Sequence, residues 1–386
     1  MRVLFTSTAG DGHFRPLIPL LRTFYDRGDE VKVVVPPKLV PTLENSGFDY
    51  EIGGEPAVDD YERVWSRFPS LTRREASRLV EGEWFATLCL RAMLPTVERV
   101  VEQFSPNLVV RESCEYAAAV VADQRRLAQA QVGISTASAE SSVLLRLARP
   151  ILEGHGEDLA LRIHESPYLT RFPASLDPSP YPTTLRYREV AFDPVKPLGN
   201  WWSGIEAPLV YVTIGTVATG RPRGREVLRA IAASLAVMPV RTLVTTSTKL
   251  DPDELDDLPS NVHVESWVDQ ADVLAEASLV VCHGGSGTTL GALAAGVPLV
   301  ILPMFADQPT NAKLVERVGA GIAVAPGEGS AEVNAKTIEE CAERLREAVD
   351  RVLHEPRYRE AARAVAKEIN VAPLPREVAG LLARLT

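Results

Sequence analysis

Disulfide and zinc frameworks are missing from this sequence: its four cysteines (Cys89, Cys114, Cys282 and Cys341) are far apart and form no CxxC pair. Two of them stand in apolar runs, which predicts buried free thiols in a reducing compartment. Positive charge is also short. Lys and Arg number 41 against 51 Asp and Glu, a net charge of −10 that disfavours a nucleic-acid partner. The basic residues are dispersed, apart from arginine-rich patches at Arg73-Arg74 and Arg221 to Arg225. The opening M-R-V-L-F-T-S-T is too short an apolar run for a signal peptide. From Ser278 to Ala306 the only ionisable side chain of acid or base type is His283, yet glycines and prolines interrupt that stretch and argue against a membrane span. The expectation is a cytoplasmic, enzyme-sized protein.

What is present is a repeated alternation of short apolar runs, loops and amphipathic stretches. At 386 residues, two domains are expected. Val3 to Ser7 reads as a strand and Thr8 to His13 as the loop leaving it. Leu17, Leu20, Leu21 and Phe24 then keep helical spacing, and Val31 to Val35 is a second strand. This β-α-β unit predicts a parallel sheet with a right-handed crossover. Gly10 and Gly12 do not complete a dinucleotide fingerprint, because Arg15 stands where its third glycine belongs. Residues 55 to 105 read as helical and carry Trp65, Phe68, Trp84 and Phe85. Leu108 to Val110 is another strand, followed by Arg111-Glu112-Ser113. Ile163 to Val195 reads as irregular chain, and Pro194, Pro197, Gly199 and Pro208 mark a linker.

Beyond the linker the plan repeats, with strands at Leu209 to Ile214, Arg241 to Thr246 and Val262 to Val264, and helices at Val227 to Leu235, Val273 to Ala277, Thr337 to Leu353 and Tyr358 to Ile369. Its most informative stretch is Ser278 to Asn311. A buried-strand run, Leu279 to Cys282, breaks at His283-Gly284-Gly285-Ser286-Gly287; a helix follows from Thr288, stopped by Gly296 and Pro298, and then a second strand from Leu299 to Leu302. A strand, a glycine loop and a helix N-terminus make an anion site, where free N–H groups and the positive end of the helix dipole converge. Hydroxyls at Ser286, Thr288 and Thr289 add donors, and Asp307-Gln308 can reach a polyhydroxylated group.

Trp267-x-x-Gln270, His283-Gly-Gly-Ser-Gly-Thr288, Gly296-Val-Pro298 and Asp307-Gln308-x-x-Asn311 together resemble the donor-binding signature of GT-B glycosyltransferases, in the large family of plant natural-product and bacterial antibiotic enzymes. Gly12-His13-x-x-Pro16 is a second match. The resemblance implies an α/β fold of GT-B architecture, two facing Rossmann-like β/α/β domains with an interdomain cleft. The boundaries follow as 1–195 for an N-terminal acceptor domain, 196–208 for the linker and 209–370 for a nucleotide-sugar domain. Residues 371–386 are left as a tail able to pack back on the N-terminal domain.

It further implies inverting sugar transfer, from a nucleotide-sugar to a hydroxyl of a small apolar secondary metabolite. His13 is the implied base, oriented by Glu112 where the family more often has Asp. His283, Gly284, Gly285, Ser286, Gly287 and Thr288, with Thr216, are implied to hold the diphosphate. Trp267, Val268 and Gln270 are implied at the base, and Asp307 and Gln308 at the sugar. Phe14, Trp65, Trp84 and Phe85 are candidates for an apolar acceptor pocket. No metal and no separate cofactor are expected. Plant members place a ribose-gripping glutamate where Gly291 stands here, which favours dTDP-sugars over UDP-sugars. A nucleotide-sugar epimerase and a non-catalytic nucleotide-sugar-binding protein are the alternatives. The oligomeric state stays open, a homodimer included.

Overall fold

The computed structural model describes residues 1–385 except 45, 69–70, 190–193, 203, 221–222, 249, 256 and 326–332. Arg221 therefore lies outside the described residues, as do the side chains of Arg73 and Arg74. The chain forms two compact units, Met1–Val190 with Val371–Thr386, and Ala191–Asn370.

The first unit is built on a seven-stranded parallel sheet in the order β3-β2-β1-β4-β5-β6-β7. Its strands are β1 (Arg2–Thr6), β2 (Glu30–Val35), β3 (Asp49–Ile52), β4 (Leu108–Glu112), β5 (Ala128–Val132), β6 (Tyr168–Thr170) and β7 (Thr184–Arg186). β1 and β4 are buried along nearly their whole length, as strands covered on both faces by helices must be. One core cluster unites Phe5, Leu17, Leu20, Leu21 and Phe24 with Val378, Ala379 and Leu382 of the helix Pro375–Leu382. That helix packs on the helix Ile18–Asp26.

The second unit holds a six-stranded parallel sheet, β10-β9-β8-β11-β12-β13. Its strands are β8 (Leu209–Thr213), β9 (Arg241–Thr245), β10 (Val262–Glu265), β11 (Leu279–Cys282), β12 (Leu299–Ile301) and β13 (Gly321–Ala323). The helices Gly224–Ala236 and Ala342–His354 pack on it through Val227, Leu228, Ile231, Leu345 and Val349.

Several expectations need correction. β4 does not end at Val110 but carries Arg111 and Glu112 inside the strand, paired with Gln131 and Val132 of β5. The stretch read as irregular contains β6 and β7, each only three residues long among prolines and tyrosines. The helix expected over Thr337 to Leu353 is two, Ala335–Glu340 and Ala342–His354, the first closed by an Asn334–Thr337 capping box. The helix after the glycine loop begins at Ser286, not Thr288. All four cysteines are free and buried. Among the described residues no helix is long and apolar enough to cross a membrane.

Candidate functional site

Each sheet reverses its strand order once beside its first strand, between β1 and β4 in one unit and between β8 and β11 in the other. In open α/β sheets ligands bind outside the carboxyl ends of the strands at such reversals. The residues of interest stand at these two places.

At the first, β1 runs into Ser7-Thr8, and the short helix Asp11–Phe14 presents His13. Gly10 takes φ +125°, which lets its carbonyl accept the N–H of both His13 and Phe14. Glu112, at the end of neighbouring β4, is fully buried, whereas the His13 side chain keeps 21% of its surface exposed. Glu112 Oε2 lies 3.2 Å from His13 Nδ1 and 2.7 Å from Thr8 Oγ1, and Thr8 Oγ1 is 2.9 Å from the same ring nitrogen. Its other oxygen accepts the Cys114 N–H at 2.6 Å. The Thr8 hydroxyl hydrogen points to Glu112, so Nδ1 must donate to this pair. Nε2 is then left as the lone-pair nitrogen of the neutral ring.

Electrostatics agree with the geometry. Burial pulls the His13 pKa down, but the charge and hydrogen bond of Glu112, with smaller contributions from Glu81 and Glu140, outweigh it and hold it above the usual value. Burial likewise pushes Glu112 up, yet the His13 charge and the bonds from His13, Cys114 and Thr8 leave its carboxyl below the ordinary range.

Further polar groups at this rim escaped the sequence reading. Thr8 is one, since a lone threonine in a loop carries no signal. Glu140 is another: it accepts the N–H groups of Ile134 and Ser135 at 2.8 and 2.6 Å and the Tyr168 hydroxyl at 2.8 Å, and burial still pushes it up to about 8. Arg111, also buried, spends its guanidinium on the carbonyls of Glu112, Ser113 and Glu115 and on Gln131. Glu115 caps the helix Tyr116–Arg125 and accepts from Thr6. Cys114 beside them has its thiol pushed well above its ordinary range by burial, so it stays protonated.

Of the aromatic candidates, only Phe85 meets His13, with ring centroids 5.1 Å apart. Trp65 and Trp84 pack on each other and on Tyr61, with Phe68 against Trp65. Phe14 is 1% exposed and belongs to the core around Phe5 and Leu17, so it has no face to offer an acceptor. Its neighbour His13 turns outward because the two sit on one helical turn.

At the second reversal, the loops after β8 and β11 meet through glycines. Gly215 (φ +72°) and Gly285 are so close to the His283 ring that a Cβ would lie 2.7 and 2.5 Å from its Nε2. A Cβ on Gly284 (φ +86°) would lie 2.7 Å from Ile301 Cγ2. Gly215 and Gly284 require left-handed backbone as well as close packing, and Gly285 close packing alone. Thr216 follows Gly215 and is exposed. Burial pushes His283 down to about 4, with no carboxylate beside it among the causes, so its ring is neutral.

The helix Ser286–Ala294 has no side-chain cap at Gly285, and the N–H groups of its first turn have no partner within the helix. Of the three hydroxyls assigned here to an anion, Ser286 gives its hydrogen to Asp307 Oδ2 at 2.6 Å, and Thr289 is 1% exposed. Thr288 alone stands half-exposed on the first turn, beside exposed Gly287. Asp307 makes no side-chain cap for the helix Gln308–Arg317 that follows it. It bonds instead to Ser286 and to Asn311 Nδ2, which also holds the Gly284 carbonyl at 2.9 Å. Gln308 Oε1 accepts the N–H groups of Met304 and Phe305 at 2.8 and 2.9 Å, and the residue is buried. Asn311 is thus the residue that ties the glycine loop to Asp307.

Trp267 is 54% exposed on the loop between β10 and the helix Gln270–Glu276, so it is no core tryptophan. Val268 is half-buried beside it. Gln270 turns its amide over Gly291, where a Cβ would lie 2.7 Å from Gln270 Oε1.

Residues 231–385 match the family described as erythromycin biosynthesis protein CIII-like, C-terminal domain. The elloramycin glycosyltransferase ElmGT of Streptomyces olivaceus is 28% identical over 400 aligned residues, covering 99% of this chain and 97% of that protein. The L-demethylnoviosyl transferase of Streptomyces niveus is 29% identical, covering 84% of this chain and 85% of its own length. Among solved structures, the glycosyltransferase VinC in complex with dTDP superposes with a TM-score of 0.73 at 22% identity, covering 100% of this chain and 99% of VinC. Over nearly its whole length, then, the chain is similar to glycosyltransferases of antibiotic and natural-product biosynthesis and shares their two-sheet α/β fold.

Proposed function

We propose that this enzyme transfers a sugar, with inversion at the anomeric carbon, from a dTDP-sugar to a hydroxyl of a small aglycone with an apolar body. The observation that carries the reading is the His13–Glu112–Thr8 arrangement, which fixes Nδ1 as donor and leaves Nε2 to accept a proton. In the reaction the acceptor oxygen bonds to the anomeric carbon while the bond from that carbon to the diphosphate oxygen breaks. The acceptor's proton passes to His13 Nε2, and Glu112 stabilises the imidazolium that forms. Phe85 lies against the ring and supplies an apolar wall for the aglycone.

The leaving diphosphate is held by the first-turn N–H groups of Ser286–Ala294 and by Thr288 and Thr216, with no metal. Among the described residues no group of three or more metal-type ligands occurs. Asp307 and the Gln308 amide hold sugar hydroxyls, and Trp267 stacks on the base with Val268 along its edge. The dTDP preference is supported by Gly291, which leaves no carboxylate at that position to grip a ribose 2′-hydroxyl. That VinC was solved with dTDP points the same way.

Incubation with panels of dTDP- and UDP-sugars and aglycones, with products identified by mass spectrometry and the new anomeric centre by NMR, tests the reading. Transfer from dTDP-sugars with inverted configuration is expected. Retained configuration sinks the single-displacement mechanism, and tighter binding of UDP than dTDP in calorimetry sinks the donor assignment.

A further inference from the structure

Residues 196–202, which the reaction above does not use, are tied to both flanks of the Trp267 loop. On the downstream flank, the Lys196 N–H donates to Asp272 at 2.6 Å and the Leu198 N–H to Glu276 at 3.1 Å, both acceptors being on the helix Gln270–Glu276. On the upstream flank, the Trp201 ring stacks on His263 of β10, with centroids 4.3 Å apart and planes 15° from parallel. Trp202 is buried and donates from Nε1 to the carbonyl of Asn261, the residue before β10, at 3.2 Å. Its ring also packs under the Arg241 guanidinium of β9. Gly199 makes the turn between the two flanks possible, since a Cβ there would lie 2.5 Å from the Trp201 ring.

β10 is the edge strand of its sheet, paired only with β9 over four residues. Such a strand is the least constrained place from which to hang a ligand-binding loop. His263 has a second restraint on its other side, since its Nε2 lies 2.8 Å from Glu265 Oε1. The loop 266–269 therefore leaves a strand clamped by Trp201 and enters a helix clamped by Lys196 and Leu198.

We propose that 196–202 is a strap that sets the position of the Trp267–Gln270 loop, and that Trp201 and His263 are positioning residues for the donor's base. The proposal rests on the reading that this loop binds the nucleotide. Loss of the stack frees the loop at its upstream end, and the cost falls on donor binding rather than on the chemical step.

The test measures dTDP affinity by calorimetry, and donor KM, acceptor KM and kcat, for Trp201→Ala, His263→Ala, His263→Phe and Trp267→Ala, with thermal melting as the check on folding. Trp201→Ala and His263→Ala are expected to weaken dTDP binding and raise donor KM by about tenfold, the scale of one lost aromatic contact. Acceptor KM and kcat stay within about twofold, and His263→Phe, which keeps a ring under Trp201, restores the donor KM. If Trp201→Ala does not fold, the His263 pair carries the test alone. Donor KM unchanged in a folded His263→Ala protein, while Trp267→Ala still weakens dTDP, overturns the strap. Unchanged dTDP affinity in Trp267→Ala overturns the nucleotide reading on which it stands. Equal losses in donor and acceptor parameters also overturn the strap, because general loosening of the unit would produce them.

Discussion

His13 and His283 both stand at the strand reversal of their own sheet, one on the short helix after β1 and the other on the loop after β11, and their surroundings drive them in opposite directions. His13 has a buried carboxylate and a threonine hydroxyl on one ring nitrogen, and its affinity for a proton rises. His283 is packed between two glycines with no acid beside it, and burial pushes its pKa down to about 4. Burial acts on both rings. What decides the outcome is whether a partner charge is placed to oppose it. The first unit thus places a hydrogen-bonded histidine and carboxylate at its reversal, and the second a loop of closely packed glycines leading into a helix N-terminus.

Removing one side of the contrast is the most severe test. His13→Ala should lower kcat by about 10²–10⁴-fold, the usual contribution of a general base, while dTDP affinity in calorimetry stays within about twofold. The corresponding replacement of His283 should show the reverse pattern, with loss in donor binding.

Glu112→Gln should cost on the order of 10²-fold in kcat and should also move the pH profile. With His13 as the proposed base, the native transfer rate should fall on the acid side as His13 is protonated, with the limb above 6.5 because its pKa is raised. Without the Glu112 charge only the smaller contributions of Glu81 and Glu140 oppose burial, so the limb shifts to lower pH. A limb that stays in place would assign it to another group.

A third test compares the two histidines through stability. His283 is depressed from 6.5 to about 4, so it contributes stability that is present above pH 6.5 and is lost as pH falls through 4. The contribution is roughly 3 kcal/mol. His13 has the opposite sign: its raised pKa contributes stability present below 6.5 and lost as pH rises through the folded value. Melting temperature against pH should therefore flatten between 6.5 and 4 in His283→Asn, whereas in His13→Asn the loss of stability as pH rises above 6.5 should disappear. The smallest effect belongs to Thr8→Val. It removes one hydrogen bond to each of His13 and Glu112 but leaves their contact, so a loss of about tenfold in kcat is expected.

The sequence disclosed these two sites unequally. The glycine loop of the second unit is local, with strand, turn and helix N-terminus contiguous from Leu279 to Ala294, and its pattern survives in one dimension. His13 was also legible, but its environment was not. Glu112 was placed just past a strand when it is the strand's last residue, because Arg111 and Glu112 look like loop residues until Gln131 and the carbonyls around Arg111 satisfy them. Thr8 meets Glu112, and Tyr168 meets Glu140, only in the fold, because each pair comes from segments far apart in the chain. β5, with the sequence A-Q-A-Q-V, alternates apolar and polar residues but on alanines, which are depleted in strands, and β6 and β7 are too short to show any period. Phe14 was misplaced because one residue along a tight helical turn separates core from rim.

The helix Pro375–Leu382 supplies Val378, Ala379 and Leu382 to a core whose other members come from residues at or before Tyr187. During synthesis, the unit translated first thus waits for a segment translated after the whole of the other. The unit made second, continuous from Ala191 to Asn370, can close before it does. Order of translation and order of completion are inverted, and on the ribosome the half carrying His13 is the one that stays unfinished the longest.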